Sequence, residues 1–156
     1  MRKGKRKLNQ AGMSLVELVV VILIIGILSA GTGIGVTFVN RMNATSATEK
    51  LASALERTRV RTIASDKEVK LVLEKDGNDY YGRFLEGGVE IDTIRIGNSA
   101  LTIKVDGSVL NDASSYEFSY KKSNGAFQST YTKIVVEGSK TKTVYMVNAT
   151  GRCYIE

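Results

Sequence analysis

The stretch Gly12-Met13-Ser14-Leu15-Val16-Glu17-Leu18 decides the fold of this chain, because it opens a long apolar segment with a glycine and a single carboxylate. From Leu18 to Val39 there are 22 consecutive residues without a charge. A run of about 20 apolar residues is long enough to form a membrane-spanning helix. A carboxylate such as Glu17 costs a few kcal/mol in hydrocarbon, so its position requires a partner.

Cleavage after Gly12 would create that partner. The new α-amino group of Met13 would lie four residues before Glu17, which is about one helical turn, on the same subunit or on a neighbour. The preceding residues carry five positive charges and no acid, from Arg2, Lys3, Lys5, Arg6 and Lys7. A basic cluster before an apolar segment stays in the cytoplasm and directs the other end outward.

Two other interpretations of the segment remain open. In the first, Leu15–Leu28 is the apolar region of an ordinary secretory signal peptide that is cut near Ser29-Ala30-Gly31. In the second, the segment is a plain membrane anchor that is never cut. The signal-peptide interpretation leaves Glu17 without a role, and the apolar pattern continues well past Gly31.

The residues Ala11–Leu18, followed by the apolar run Val19–Leu28, resemble the class III signal of type IV pilins and type II secretion pseudopilins. The resemblance implies that a prepilin peptidase cuts after Gly12 and N-methylates Met13, and that Glu17 directs assembly. Two departures from the family pattern are Met13, where Phe is commonest, and the absence of a helix-bending proline.

The resemblance also implies a domain plan, a set of partners and a location. Residues 1–12 are the leader, 13–40 the transmembrane and assembly helix, and 41–156 the extracytoplasmic head. The implied partners are prepilin peptidase, other pilin or pseudopilin subunits, an inner-membrane assembly platform and the membrane itself. The protein would cross the inner membrane once, with its N-terminus in the cytoplasm, and later enter a pilus or pseudopilus filament.

Composition excludes several kinds of chemistry. The formal charge of +6 comes mainly from the leader, since residues 13–156 carry 17 basic and 16 acidic side chains, a net charge of +1. The chain has no histidine and one cysteine, which excludes a Cys/His zinc site, a histidine-based triad and an intrachain disulfide. We expect no catalytic residues, no metal and no cofactor, and we expect Cys153 to be a buried structural thiol.

The segment Arg41–Ser65 contains neither glycine nor proline and favours a helix. Apolar and small side chains recur at three- and four-residue steps and form one stripe, at Ala47, Leu51, Ala54, Leu55, Thr58 and Thr62. A single helix from about Ser14 to Ala64 would be about 75 Å long. Its first half is apolar all round and its second half is amphipathic.

After Asp66 the apolar residues alternate, which is typical of strands. We predict about eight short strands separated by turns, with a hairpin at Asn124-Gly125. The predicted fold class is therefore α+β, with the long N-terminal helix packed on an antiparallel β-sheet head.

The tail resembles the closing strands of the GspH/FimT-type minor pilins and pseudopilins. The resemblance is carried by Phe118-Ser119-Tyr120, Gly125-Ala126-Phe127, Lys133–Val136 and Thr150-Gly151-Arg152. Members of that family are low-abundance subunits thought to initiate or cap a filament. The resemblance implies the same role here.

Charge is uneven along the head. Residues 66–115 carry ten acids and six bases, whereas residues 116–156 carry three acids and six bases. The six bases, with nearby Tyr116, Tyr120, Phe127 and Tyr131, are a candidate DNA-binding set, as in a competence pilus: Lys121, Lys122, Lys133, Lys140, Lys142 and Arg152. The alternative is a solvated sheet face whose aromatic residues turn into the core.

Overall fold

The structure is a computed structural model that describes the backbone of residues 15–156 and the side chains of residues 15–26 and 44–156. It contains one long helix, α1 (Leu15–Ala64). The chain divides into two compact units, one ending at Val36 and the other comprising Thr37–Glu156. The second unit is called the head below.

The head contains nine strands after the helix: β1 (Val69–Asp76), β2 (Asp79–Glu86), β3 (Val89–Asn98), β4 (Thr102–Val105), β5 (Ser108–Val109), β6 (Ser115–Ser119), β7 (Lys133–Glu137), β8 (Thr141–Val147) and β9 (Arg152–Ile155). They form a four-stranded sheet in the order β3-β2-β1-β6 and a five-stranded sheet in the order β5-β4-β7-β8-β9. Every pairing is antiparallel. The predicted α+β class with antiparallel sheets is confirmed.

The period-two pattern explains the first sheet. Val69, Leu71 and Leu73 are buried and alternate with partly exposed residues, as expected for a strand with one face on a core. β1 and β2 form a hairpin whose last pair is Asp76 with Asp79, and Gly77 in the turn has a φ of +57°. Glycine adopts such a backbone without steric strain.

The remaining neighbour of β1 comes from far along the chain. β6 pairs with β1 so that Leu71 faces Phe118 and Leu73 faces Tyr116. The second sheet is built mainly from hairpins, with β4 pairing with β7 as its longer-range contact. The head is therefore closed by two pairings that link distant segments.

The helical residues of the head supply one side of the core. The six residues of the predicted stripe, together with Ala44 and Thr48, are buried. The hydroxyls of Thr48, Thr58 and Thr62 donate to carbonyl oxygens four residues earlier, at 2.7, 2.7 and 2.8 Å. These bonds satisfy hydroxyl groups that would otherwise be costly to bury. A stripe of small side chains lets the sheets approach the helix closely.

Ion pairs join the helix to the first sheet. Arg57 lies 2.7 Å from the Asp92 carboxylate and over the Phe84 ring at 4.5 Å. The Glu86 carboxylate accepts a hydrogen bond from the Ser65 hydroxyl at 2.6 Å. It also forms an ion pair with Arg61 at 2.9 Å. The Ser65 hydroxyl, and then Arg61, lower the pKa of Glu86. Exposed pairs of this kind contribute little each, but they fix the end of the helix against β2 and β3.

The chain turns back at Asn124-Gly125 as predicted, with the Lys121 amide donating to the Ala126 carbonyl at 2.8 Å, but the segment after the turn does not continue as a regular strand. Only one isolated bridge forms around it, between Tyr120 and Phe127. Beyond Phe127 the chain runs along β6, where the hydroxyl of Ser129 accepts from the Ser119 amide and donates to the Glu117 carbonyl. A serine side chain thus satisfies backbone groups that a second strand would have paired.

Two loops close the head over the helix. The amide of Phe127 donates to the carbonyl of Asn148 at 2.9 Å. Nε of Arg59 reaches both loops, donating to the carbonyls of Thr150 at 3.1 Å and Gly125 at 3.3 Å. This arrangement, called the Arg59 clamp below, joins the helix to the loop after β6 and to the loop between β8 and β9.

Candidate functional site

The N-terminal part of α1 presents apolar side chains in all directions. Ten large aliphatic residues between Leu15 and Ile25 are exposed, and Leu15 reaches 80% exposure. A helix that is apolar all round is stable only when other molecules cover it. This surface is therefore a candidate site for burial in lipid or against the helices of other subunits.

Glu17 is the one charged residue among the described residues of this segment, 15–26. It lies in the first turn of the part of α1 that the structure describes. Its side chain is exposed, and within the described part of the chain its carboxylate forms no ion pair or hydrogen bond. Its neighbours Val16, Leu18 and Val21 are exposed aliphatic residues. Covering this surface would therefore bury a carboxylate that still needs a donor.

Gly12 and Met13, the predicted cleavage and methylation residues, lie outside the described residues. The domain boundaries predicted at residues 12 and 40 stay predictions. Among the residues that the structure describes, no helix has both the length and the apolar character needed to cross a membrane.

The structure places the six predicted DNA-binding bases in different parts of the head. Lys121 and Lys122 lie in the loop after β6, and Nζ of Lys122 is 2.8 Å from Asp66, which lowers the pKa of that carboxyl. Lys140 lies in the turn before β8. Lys142 pairs with Val136, whose side chain is buried, so it lies on the inner face of the second sheet near its end. Lys140 and Lys142 are therefore at the opposite end of the β7–β8 hairpin from Lys133, which pairs with Tyr145.

The aromatic residues named with those bases contact the core. Tyr120 and Phe127 are buried and pack against each other edge to face, with ring centroids 4.9 Å apart. Burial raises the pKa of Tyr120. Tyr116 and Tyr131 are partly buried against the same core. None of these four rings is a fully exposed stacking surface.

Lys133 and Arg152 do share a face with aromatic residues, though not with those that the sequence suggested. The register places Lys133 opposite Tyr145, and Tyr145 opposite Tyr154. The two tyrosine rings stack with centroids 5.2 Å apart. Arg152 is two residues from Tyr154 on the same face of β9. Only the strand register reveals this group, because its members are distant in sequence.

Cys153 lies on the opposite face of β9. Its thiol is partly buried and lies 3.6 Å from the carbonyl oxygen of Ala52 on the helix. Burial raises the pKa of the Cys153 thiol, which keeps it protonated and weakly nucleophilic. These contacts support the predicted structural thiol.

Comparison with known families bears on the N-terminal segment. The model of the prokaryotic N-terminal methylation motif matches residues 7–33. This motif supports a type IV pilin-like precursor that prepilin peptidase cleaves, that is anchored in the membrane, and that then assembles with other pilin subunits. No curated protein and no solved structure was found to match the chain.

Proposed function

We propose that this chain is a structural subunit, and a minor one, of a type IV pilus or a type II secretion pseudopilus. The observation that carries the proposal is the exposed apolar surface of residues 15–26, which contains the single carboxylate of Glu17. In the proposed pathway the chain is cut after Gly12 and N-methylated at Met13. It waits in the inner membrane with its head outside, and then enters a filament through α1.

The chemistry of the filament core explains why Glu17 matters. A carboxylate and an ammonium group are both expensive to bury alone. Pairing Glu17 with the Met13 amine of a neighbouring subunit relieves both penalties, whereas removing one partner of a buried pair costs about 3–5 kcal/mol. The aliphatic residues around Glu17 supply most of the cohesion. The ion pair then sets the axial register between subunits.

The proposed role needs no catalytic residue, metal or cofactor. In the more specific version of this proposal, the chain is a GspH/FimT-type subunit that initiates or caps a filament. The inner-membrane assembly platform is then one of its partners. The sequence of the closing strands supports this role, including Thr150-Gly151-Arg152 at the start of β9. Counting the copies of this chain per filament by quantitative mass spectrometry tests it, because an abundance equal to that of the main subunit contradicts a minor role.

Glu17→Gln should leave processing intact and reduce incorporation into filaments at least tenfold, because it removes the charge and keeps the shape. A tenfold reduction is a conservative expectation, because a loss of about 1.4 kcal/mol in binding free energy already corresponds to a factor of ten. The measurement is the intact mass of the chain from its own cells, together with its amount in sheared filaments. Leu18→Met, a neighbouring change without a charge, is the matched control.

Gly12→Val serves as the opposite control, because it should block cleavage and leave the leader attached. Wild-type incorporation of Glu17→Gln would exclude the ion pair. A Gly12→Val chain processed at the wild-type level would contradict the requirement for glycine at the cleavage site. A chain that begins near Gly31 would indicate an ordinary secreted β domain, and an uncut chain would indicate a plain membrane anchor.

A second candidate function is DNA binding by a competence-type pilus, and it is favoured by one observation. Lys133 and Arg152 lie on the same sheet face as the stacked pair Tyr145 and Tyr154, and in the described residues neither base has a carboxylate partner. Bases beside exposed aromatic rings suit the phosphates and bases of single-stranded nucleic acid.

For this second function we expect weak binding of an oligonucleotide by the full chain at low salt, with affinity falling steeply as salt rises. Lys133→Ala with Arg152→Ala should weaken binding about tenfold, and Lys140→Ala, in the turn before β8, is the matched control. Fluorescence anisotropy over a salt series measures both effects. Equal losses for the control and the double variant would exclude this face, and no binding at low salt would exclude the function.

A further inference from the structure

The outer edges of the two sheets are not equivalent. β3 has two register shifts against β2, opposite Tyr80/Tyr81 and opposite Phe84/Leu85. The free side of β6 is covered by the segment containing Gln128 and Ser129. β5 has only two residues. Bulges, coverage and shortness all protect a sheet edge from pairing with another chain.

Among the residues that the structure describes, β9 has neither a bulge nor a covering segment. Its pairing with β8 has no register shift, and it is the last strand of the second sheet. Tyr154 is 55% exposed and Ile155 is 42% exposed. Ile155 pairs with Val144, which is fully buried, so Ile155 is an apolar residue of the inner face that is left uncovered at the edge.

The hydrogen-bond phase of β9 shows which backbone groups are free to pair. Thr143 and Glu156 exchange two hydrogen bonds, at 3.0 and 2.9 Å, so the backbone groups of Glu156 face β8. Backbone groups alternate sides along an antiparallel strand. Those of Tyr154 and Arg152 therefore also face β8, and those of Cys153 and Ile155 point to the open side.

We propose that β9 pairs with β9 of a second copy of this chain, antiparallel and centred on Tyr154. In this register Cys153 of each copy faces Ile155 of the other, and the two pairs exchange about four backbone hydrogen bonds. Tyr154 then faces Tyr154 in a non-hydrogen-bonded pair, where side chains are closest. The stacked tyrosines of each copy become one aromatic row across the joined sheets.

Charge complementarity selects this register. Arg152, Tyr154 and Glu156 lie on one face of the strand, since alternate residues share a face. Centring on Tyr154 places Arg152 of each copy opposite Glu156 of the other, twice by symmetry. Centring on Cys153 would place Arg152 opposite Tyr154, and centring on Ile155 would place Glu156 opposite Tyr154. Only the proposed register pairs both charges.

The contact is isologous, so it joins two heads and then stops. It therefore differs from the head-to-tail contacts that extend a helical filament. It uses residues of the head alone and does not depend on the role proposed for Glu17. A failure of Glu17→Gln to block incorporation would leave it intact.

Cysteine cross-linking of the full chain in detergent or in native membranes tests the pairing. In a Cys153→Ser background, Tyr154→Cys places two thiols at a non-hydrogen-bonded pair with Cα atoms about 4.5 Å apart. That spacing lies within the range that a disulfide spans. Val147→Cys is the matched control, because Val147 is 39% exposed and faces Arg152 inside the sheet, away from the open edge. We expect an oxidised homodimer with Tyr154→Cys and at least fivefold less with Val147→Cys.

Charge reversal distinguishes this register from other arrangements that bring the β9 strands of two copies close together. Adding Arg152→Glu to the Tyr154→Cys chain should lower dimer yield about fivefold, because like charges directly opposite each other are destabilising. Adding Glu156→Arg as well should restore the yield. Equal cross-linking at Val147, a loss without restoration, or a Tyr154→Cys adduct whose mass identifies a different protein would each overturn the proposal.

Discussion

Gly151→Ala is expected to destabilise the head by about 3 kcal/mol or more. Gly151 has a φ of +66°, and a Cβ on it would overlap the carbonyl oxygen of Gly125 in the facing loop. A left-handed backbone costs an L-residue roughly 1–2 kcal/mol, and forced overpacking adds roughly 1–3 kcal/mol. Both loops are held by the Arg59 clamp, so their separation should also free the end of the helix.

The measurement for Gly151→Ala is thermal unfolding of the full chain in detergent, monitored by near-ultraviolet circular dichroism of the tyrosines. We expect a Tm lower by about 10 °C. Gly77→Ala is the matched control, because Gly77 has a similar φ of +57° and a Cβ there meets nothing within 4 Å. The control should show only the free-energy cost of placing alanine in a left-handed backbone conformation. Equal losses in the two variants would contradict the predicted clash.

Leu101→Ala is expected to cost about 3–5 kcal/mol, near the upper end for a buried leucine. Leu101 is 2% exposed and lies between the two sheets and the helix. Cβ atoms placed on Gly97 and Gly138 would lie 2.7 and 2.8 Å from its methyl groups. Because these two neighbours are glycines, neither position has a side chain that could move into the cavity. Val109→Ala, at an exposed position of β5, is the control and should cost little.

A double-mutant cycle sharpens the prediction for Leu101. Gly97→Ala should destabilise the wild-type chain, because the new methyl group meets Leu101. In the Leu101→Ala chain the same change should be neutral or stabilising, because it fills part of the cavity. The free energies of unfolding of the four chains give the coupling energy. Additive effects would show that Leu101 does not occupy the space beside Gly97.

Local sequence patterns predicted where the helix and the strands lie better than they predicted which strands pair with each other. Alternation in Val69, Leu71 and Leu73 indicated β1, and the stripe that includes Leu51 and Leu55 indicated the buried side of the helix. Period-two alternation gives the face of a side chain but not which strand lies beside it. The pairing of β1 with β6, and the division into two sheets, therefore had to come from the structure.

The residues of the candidate site were likewise predictable only where the signal is local in the sequence. Glu17 was predictable, because a charge at the head of an apolar run is conspicuous in the sequence alone. The DNA-binding set was chosen by closeness in sequence, and the structure separates Lys142 from Lys133 onto opposite faces. Tyr145 and Tyr154 were missed, since only the β8–β9 register brings them together. The turn at Asn124-Gly125 was predictable, but the strand expected after it is irregular, because the Ser129 side chain replaces the next backbone pairing with β6.

The packing of the helical stripe against the core of the head has a mechanical consequence. The buried stripe of the helix, from Ala44 to Thr62, packs against the core over about five turns. A pull along the helix axis would load these contacts in parallel as a shear, and would not peel them apart one at a time. No disulfide supports them, since Cys153 is the one cysteine in the chain. Resistance to tension in this head would therefore come from packing, hydrogen bonds and ion pairs acting together.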